Sequence, residues 1–390
     1  MRSGRFVTQP EDYRAFIPAP LPPDPPVQMD DELSRLLSDA DRSLGRLDGV
    51  ASVLPNPDLF VAMYVRHEAV LSSQIEGTQS TLEDVLEFEA EAPREERPKD
   101  IEEVVNYVRA MNHGLRRLEE LPVCLRLIRE IHGELLQGVR GAERTPGEFR
   151  RSQNWIGPAG CTLNTASFVP PPVHEMHAAL DNLEKFLHQA ESMPRLVHCG
   201  LAHGQFETIH PFLDGNGRVG RLLITLLLCQ QGILQRPLLY LSYYLKAHRA
   251  QYYDRLDAVR HDGDWEGWLK FFLRGVYEVS RSATDTARAI LHLREEHRQQ
   301  TADLGASGAA AARLLDYLFE QPIVSVRMVE RKLGCSYVTA GKLVDQFVEL
   351  GLLREITGQQ RNRRFRYEPY VALFESPVSR GDGETTSWER

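Results

Sequence analysis

His210-Pro211-Phe212-Leu213-Asp214-Gly215-Asn216-Gly217-Arg218-Val219-Gly220-Arg221 is the stretch on which the reading of this chain turns. Glycines, an asparagine and two arginines stand where a loop enters an apolar run, which is the composition of an anion-binding turn. Gly215 and Gly217 let backbone amides approach a phosphate, and the unpaired N–H groups and dipole at the start of the following helix favour negative charge. Arg218 and Arg221 lie three apart on one helix face, and their planar forks suit phosphate oxygens. Asp214 supplies a hard oxygen for Mg²⁺, an ion that keeps several waters and bridges phosphates. His210 can accept a proton near neutral pH at the rim of the same turn.

Outward from this turn the periodicity is helical. Apolar residues recur at three and four, as in Leu33, Leu36, Leu37, Leu44 and Leu47, across a region from Asp30 to about Val123, and again from Leu125 in LRLIREIHGELL. Further helices are expected from Val173, on both sides of His210 to Asn216, over Tyr240 to Tyr253 and Trp265 to Leu273, and as a long polar helix at about 276–300. No βαβ rhythm occurs, which excludes a parallel-sheet fold. The prolines of PAPLPPDPP (18–26) read as an extended arm, since proline fixes φ and lacks a donor. Residues 144–172 are rich in Pro, Gly, Asn and Thr and read as a loop or hairpin. After a small-residue hinge at Gly305 to Ala312 come helices at Ala311 to Phe319, Val326 to Leu333 and Tyr337 to Leu350, then a hairpin from Leu353 to Arg366. That order is a helix-turn-helix with a wing. The tail after Ser376 is polar and reads as disordered.

Composition narrows the function classes. The 390 residues suffice for two or three domains. With 46 Lys+Arg against 55 Asp+Glu the net charge is -9, so any nucleic-acid face must be local. Cys124, Cys161, Cys199, Cys229 and Cys335 show neither C-x-x-C pairing nor metal-ligand spacing. The N-terminus carries no apolar targeting run and the chain no spanning segment, so the expected localisation is cytoplasmic, without a membrane partner.

The segment 210–221 resembles the Fic family, whose signature HPFxDGNGRxGR it matches at all ten specified positions. The resemblance extends through LAHGQFETI (201–209) and YLSYYLKAHRAQYY (240–253). It implies a mainly α fold, with a helical Fic core, a small β-hairpin flap and a C-terminal winged helix-turn-helix. The corresponding domains are an N-terminal helical region (1–123) holding the proline-rich arm and an inhibitory helix at about 57–77, a catalytic core (124–275), a connecting helix (276–305), the winged module (306–372) and the tail (373–390). By resemblance the activity is protein adenylyltransfer: AMP moves from ATP to a Tyr, Ser or Thr hydroxyl of a protein and pyrophosphate leaves. His210 would be the general base and Phe212 the anchor of the loop, while Asp214 would hold Mg²⁺ or Mn²⁺. Nucleotide binding would fall to Gly215, Asn216, Gly217, Arg218, Gly220 and Arg221, with Arg221 on the γ-phosphate. Gly217, where a kinase variant of the family has lysine, speaks for adenylyl transfer.

Two further segments carry expectations. Asn56-Pro57 and Gly77 read as the start and stop of a helix whose last residue is Glu76. Ser72-Ser73-Gln74-Ile75-Glu76-Gly77 matches the inhibitory motif of relatives that carry this helix before the core, with Ser72 and Glu76 as its defining residues. The resemblance pairs Glu76 with Arg221, so the γ-phosphate cannot take that arginine. Some relatives use this glutamate to remove AMP instead, and both uses stay open here. Leu163, Asn164, Thr165, Ala166, Ser167 and Phe168 have strand composition, and the resemblance makes them a flap whose edge pairs with the target backbone, while Arg150 to Trp155 brace that region. In the winged module Arg361, Arg363, Arg364 and Arg366 cluster in the wing, the first three as candidate DNA contacts. A nucleotide-sensing winged-helix regulator is therefore the rival to the enzyme, and a homodimer stays open.

Overall fold

The computed structural model describes residues 1–52, 57–90, 100–158, 160–189, 193–304 and 307–375. The Asn56 cap, Gly305 in the hinge and the tail after Ser376 lie outside them. The chain divides into two compact units, one comprising residues 1–89 and 94–283, the other 90–93 and 284–390.

The first unit opens with an antiparallel hairpin, β1 (Gly4–Thr8) and β2 (Arg14–Pro18), in which Phe6 faces Phe16. Ten helices follow: α1 (Asp31–Ser52), α2 (Pro57–Ile75), α3 (Leu82–Glu89), α4 (Ile101–Arg117), α5 (Leu125–Leu135), α6 (Val173–Leu187), α7 (Arg195–Ile209), α8 (Asn216–Gln230), α9 (Ser242–Ala247) and α10 (Arg249–Asp262). α11 (Trp265–Ala302) runs across the boundary between the units. It joins into one helix what the sequence pattern divides between Trp265–Leu273 and a polar helix at 276–300. α1 is capped by Asp30, whose Oδ1 accepts the Leu33 N–H at 2.7 Å. The hairpin is absent from the periodicity because its strands are short and its partners distant. Phe16 N–H donates to Val169 O at 2.9 Å, Phe6 stacks on His261 at 4.8 Å, and Arg2 Nε donates to Gly263 O at 3.0 Å. In the arm that follows, Leu21 N–H donates to Asn182 Oδ1 at 2.8 Å.

At the centre, α7 is buried from Leu196 to Ile209 and α8 at nearly every position from Asn216 to Leu228. Helices apolar all round belong inside a domain. Their approach needs small residues: a Cβ on Gly204 would lie 3.0 Å from the Trp265 ring, and one on Gly200 would lie 2.8 Å from Leu269. Trp268, wholly buried, donates its Nε1–H to Gly200 O at 2.8 Å and fixes α11 against α7. The connection from α7 to α8 is residues 210–215, so the signature turn sits where two fully packed helices meet. No helix among the described residues is long and apolar enough to cross a membrane, and the five cysteines are all free thiols.

The second unit holds α12 (Gly308–Glu320), β3 (Ile323–Val324), α13 (Val326–Leu333), α14 (Tyr337–Glu349), β4 (Leu353–Glu355), β5 (Phe365–Tyr367) and α15 (Glu368–Glu375). Ser325 and Ser336 cap α13 and α14 by accepting the Met328 and Thr339 N–H groups, and Gly334 at φ 67° ends α13. The wing is a three-stranded antiparallel sheet in the order β3-β5-β4, pairing Ile323 with Arg366 and Leu353 with Tyr367. β3 and α15 go beyond the helix-turn-helix and hairpin that the pattern predicts. Arg361 and Arg363 are exposed, whereas Arg366 turns inward and forms a fork on Glu368 with both contacts at 2.7 Å. Arg366 therefore leaves the basic surface that the wing sequence suggests.

Replacing Trp268 with alanine removes a fully buried indole and its hydrogen bond, a truncation that costs about 3–5 kcal/mol in cores of this kind. The urea midpoint of the first unit is expected to fall accordingly, read by fluorescence and circular dichroism together.

Candidate active site

The turn between α7 and α8 is built from local geometry upward. His210 ends α7 in the left-handed region (φ 50°, ψ 59°), where a non-glycine residue is strained, and its N–H still donates to Phe206 O at 3.0 Å. Two residues hold it there. Arg150, 1% exposed, donates Nε to His210 O at 3.1 Å and its N–H to Pro211 O at 2.9 Å. Asn154 Nδ2 donates to His210 O at 3.2 Å and Phe212 O at 2.8 Å. Thus Arg150 and Asn154 are the bracing members of the RRSQNW stretch.

Asn216 closes the turn on itself. Its Oδ1 accepts the Phe212 N–H and its Nδ2 donates to Phe212 O, both at 2.8 Å. The side chain is thereby committed to the loop, and what Asn216 presents outward is backbone. Gly215 precedes it at φ 78°, a conformation natural to glycine. The first intrahelical bond of α8 runs from Val219 N–H to Gly215 O at 3.0 Å, so the amides of residues 216–218 stand ahead of the ladder at the helix start. Phe212 is wholly buried, and the His132 ring stacks on it at 3.7 Å with 6° between planes.

His132 was not singled out by the sequence, since one histidine in an amphipathic helix signals nothing. Its Nδ1 accepts the Gly147 N–H at 2.9 Å, so the proton sits on Nε2, which donates to Asp214 O at 3.1 Å. Burial pulls its pKa down to about 4, which keeps this tautomer neutral. Burial likewise lowers His210 to about 3, with Arg260 and Arg150 adding to the effect. His210 is therefore a free base at neutral pH.

The charged groups are arranged around α8. Arg218, 1% exposed, donates to Glu103 Oε2 at 3.0 Å and lies 3.7 Å from Asp214 Oδ1. Glu103, from α4, also meets Arg140 at 3.4 Å. It is a second residue that sequence reasoning missed, because its partner lies over a hundred positions away. Asp214 keeps a side chain 38% exposed, one oxygen of which accepts the Gly215 N–H at 2.6 Å. Arg221, 2% exposed, donates Nη2 to Glu76 Oε1 at 2.6 Å and to Ser72 O at 3.1 Å, and Nε to Ser72 Oγ at 2.7 Å. Burial works to raise the Glu76 carboxyl, and the charges of Arg221 and Arg218 outweigh it, so Glu76 stays below the usual carboxylate range.

α2 ends at Ile75, one residue before the expected Glu76, which occupies the turn that follows. Gly77 takes φ 100°, as a helix stop requires. Leaving the helix axis lets the Glu76 carboxylate lie against Gly217, where a Cβ would come within 2.3 Å of Oε1. Together Glu76, Arg140, His210, Asp214, Gly215, Asn216, Gly217 and Arg218 line a cleft of about 180 Å³. Gly220 is not among them. A Cβ there would lie 2.3 Å from Glu207 Oε1, so this glycine serves the packing of α8 on α7 and not the cleft. Its carbonyl accepts from His203 Nδ1 at 2.9 Å, and Tyr252 OH donates to the other nitrogen at 2.9 Å.

The flap region is less regular than its strand composition suggests. Ile156 and Phe168 form one antiparallel bridge, and Leu163–Thr165 form a 3₁₀ turn capped by Thr162. Asn164, Thr165 and Ser167 are exposed. Leu163 and Ala166 pack on a cluster of Tyr13, Ala15 and Val169, and Phe168 is buried under the Arg260 guanidinium at 3.9 Å. The six residues thus divide into an outer three and an inner three.

Similarity to known proteins agrees with this architecture. Residues 34–116 match the Fic/DOC family N-terminal domain, 122–228 the Fic/DOC family domain, and 312–366 an HTH DNA binding domain. Fic/DOC family domains thus account for residues 34–116 and 122–228 of the chain. It is similar to the protein adenylyltransferase Fic of Aedes aegypti, 34% identical over 151 residues that are 38% of this chain and 27% of that protein. The Drosophila grimshawi protein of the same name is 32% identical over 156 residues, 40% of this chain and 29% of its own length. The matches therefore span less than a third of these relatives. In structure the chain is similar to a Fic family protein from Desulfovibrio desulfuricans G20, with a TM-score of 0.58 at 20% identity over 88% of this chain and 97% of that one. It also resembles a Fic domain containing signaling protein from Bacteroides thetaiotaomicron VPI-5482, with a TM-score of 0.51 at 18% identity over 66% and 97%. At these identities the likeness is one of fold.

The depressed histidines give stability a pH dependence of defined sign. His132 has a folded pKa of about 4 against an unfolded value near 6.5. The unfolded chain then binds the proton more readily, so the contribution is complete above about pH 6.5 and is lost as the pH falls towards 4. Denaturant midpoints should drop between pH 7 and pH 4.5, and His132→Gln should reduce the size of that drop while lowering the pH 7 midpoint.

Proposed function

We propose that the chain is a protein adenylyltransferase that moves AMP from ATP to a Tyr, Ser or Thr hydroxyl of a protein target, and that Glu76 holds it at rest. One observation carries this reading: beside a neutral His210, at the open start of α8, the Arg221 guanidinium is clasped by Glu76 and Ser72. An arginine so placed suits a terminal phosphate, and a carboxylate bound to it occupies that role.

In the reaction the target hydroxyl oxygen attacks the α-phosphorus, its proton passes to His210, and the bond from that phosphorus to the pyrophosphate oxygen breaks. The amides of Asn216, Gly217 and Arg218 face the phosphates at the helix start, where the backbone dipole adds to their donation. Arg218 stands over the same ground with Glu103 fixing its fork. Asp214 fits a cation that keeps waters and phosphate ligands: it offers a single half-exposed carboxylate, and no cluster of three ligating side chains occurs among the described residues. Bound there, Mg²⁺ or Mn²⁺ would offset charge on the departing pyrophosphate. The outer flap residues Asn164, Thr165 and Ser167 would meet the target backbone, which holds a peptide without reading much of its sequence.

The test is incubation with ATP labelled at the α-phosphate, alone and in cognate lysate, followed by gel autoradiography. His210→Ala should lower labelling by about 10²- to 10⁴-fold while nucleotide binding persists. Glu76→Gly should raise turnover more than nucleotide affinity, and Arg221→Ala added to it should erase the gain. Labelling by His210→Ala at the parent rate would overturn the mechanism, and a Glu76→Gly protein no faster than the parent would overturn the inhibition.

The match of residues 312–366 to an HTH DNA binding domain supports a second activity in the other unit. We infer that α14 and the β4–β5 turn contact DNA, with Arg361, Arg363 and Arg364 meeting phosphates. Replacing these three with alanine should weaken binding to the protein's own upstream DNA and flatten its salt dependence, with labelling unchanged. Absence of binding by the parent protein at low salt would remove this activity.

A further inference from the structure

Glu68 is a buried acid on the helix that leads to Glu76, and neither the signature nor the proposed chemistry uses it. It is 4% exposed. Ser72 lies four residues later, one turn on along the same side of α2, and Glu76 follows in the turn that ends the helix. Three donors converge on its carboxylate. Ser242 N–H donates to Oε2 at 3.0 Å, Ser242 Oγ–H donates to Oε1, and Tyr107 O–H donates to Oε1 at 3.2 Å. Ser242 begins α9 and Tyr107 lies in α4, so one carboxylate ties α2 to two other helices.

Tyr107 makes the connection continuous. Its phenol also lies within electrostatic reach of the Ser72 side chain, whose Oγ accepts Arg221 Nε at 2.7 Å. The path from α9 to the inhibitory contact therefore runs through Ser242, Glu68 and Tyr107 to Ser72 and Arg221, with Glu68 and Ser72 on one side of α2 as its middle link. Gln74 Oε1 adds a second tie to α9 by accepting from Lys246 Nζ at 2.7 Å. Burial pushes the Glu68 carboxyl up to about 7, opposed by its hydrogen bonds from Ser242 and by the Arg221 charge, so the ionised anchor depends on those donors.

We infer that Glu68 is a positioning residue for the inhibitory contact: it fixes α2 on α9 and α4 at the rotation that aims Ser72 and Glu76 at Arg221. The inference rests on the reading of Glu76 as the inhibitory residue. Hydrogen bonds to a charged group are among the stronger ones in a folded chain, and losing the anchor lets the last turn of α2 swing away more often. Arg221 is then released part of the time, while His210, Asp214 and the start of α8 keep their places.

The experiment compares automodification with α-labelled ATP across a set of full-length variants, with melting temperature and hydrogen exchange over residues 66–77 measured on each. Glu68→Ala should raise turnover by about tenfold at unchanged KM for ATP and should lose amide protection in this segment. Tyr107→Phe, which keeps the ring and loses the hydroxyl, should activate in the same direction to a smaller extent. Glu68→Gln keeps one acceptor oxygen for the Ser242 and Tyr107 hydroxyls but sets its NH2 against the Ser242 N–H, and should activate to an extent between the parent and Glu68→Ala. Glu68→Ala combined with Glu76→Gly should be no faster than Glu76→Gly alone. If Glu76→Gly activates while folded Glu68→Ala and Tyr107→Phe both remain at the parent rate, the role of Glu68 is overturned and the inhibitory role of Glu76 stands. If Glu76→Gly itself fails to activate, both fall together.

Discussion

The bond between Arg221 and Glu76 joins parts of the chain separated by 145 positions, and much of the site's geometry follows from it. A guanidinium at 2% exposure is tolerable only with partners, because a buried charge left unpaired is far more costly than a buried pair. Ser72 and Glu76 supply those partners through five-donor geometry that a lysine could not reproduce. The arrangement also explains why α2 stops at Ile75. A glutamate within the helix would point along its flank, whereas the turn at Glu76 and Gly77 carries the carboxylate over the start of α8.

The loop that meets this pair is held by groups with no reactive part in the cleft. His210 sits in a strained backbone region, and strain of this kind survives only where the surroundings over-determine it. Arg150, Asn154, Asn216 and His132 do so through contacts to main-chain atoms, which makes the loop independent of what fills the cleft. Burial serves the same end by two routes. It strips protons from His132 and His210, and it holds Asn216 in a hydrogen-bonded ring with Phe212. An imidazole kept neutral by desolvation can act as a base without first losing a proton to solvent.

Local signals were legible in the sequence and distant pairings were not. Helix starts and stops at Val173, Val326, Tyr337 and Gly77 could be read because capping and left-handed glycine are decided within a few residues. The winged order of the second unit was readable for the same reason, although β3 and α15 were not. The β1–β2 hairpin, Glu103 on Arg218, His132 under Phe212 and Glu68 on Ser242 escaped, since each acquires meaning only from a partner far along the chain. Gly220 and Asn216 illustrate the converse. A motif places them next to the phosphate seat, but one is needed for helix packing and the other for closing the loop, and residue type alone does not distinguish these duties. The flap residues divide likewise, because strand composition is indifferent to which side of a segment the rest of the fold will cover.

Gly217 carries a consequence for how this chain can change. The absent side chain is what lets the Glu76 carboxylate rest on the backbone, 2.3 Å from where a Cβ would be, and the same bare backbone is the approach by which a phosphate would come to the amides of α8. If the proposed function holds, occupant and inhibitor share one vacancy at one residue. On the reading proposed above, a side chain at position 217 would press on both the Glu76 carboxylate and an approaching phosphate, so drift there would alter restraint and activity together. Independent tuning is left to the residues behind Glu76, on α2 and the helices that support it, where a small alteration shifts how often the vacancy is blocked without altering its shape.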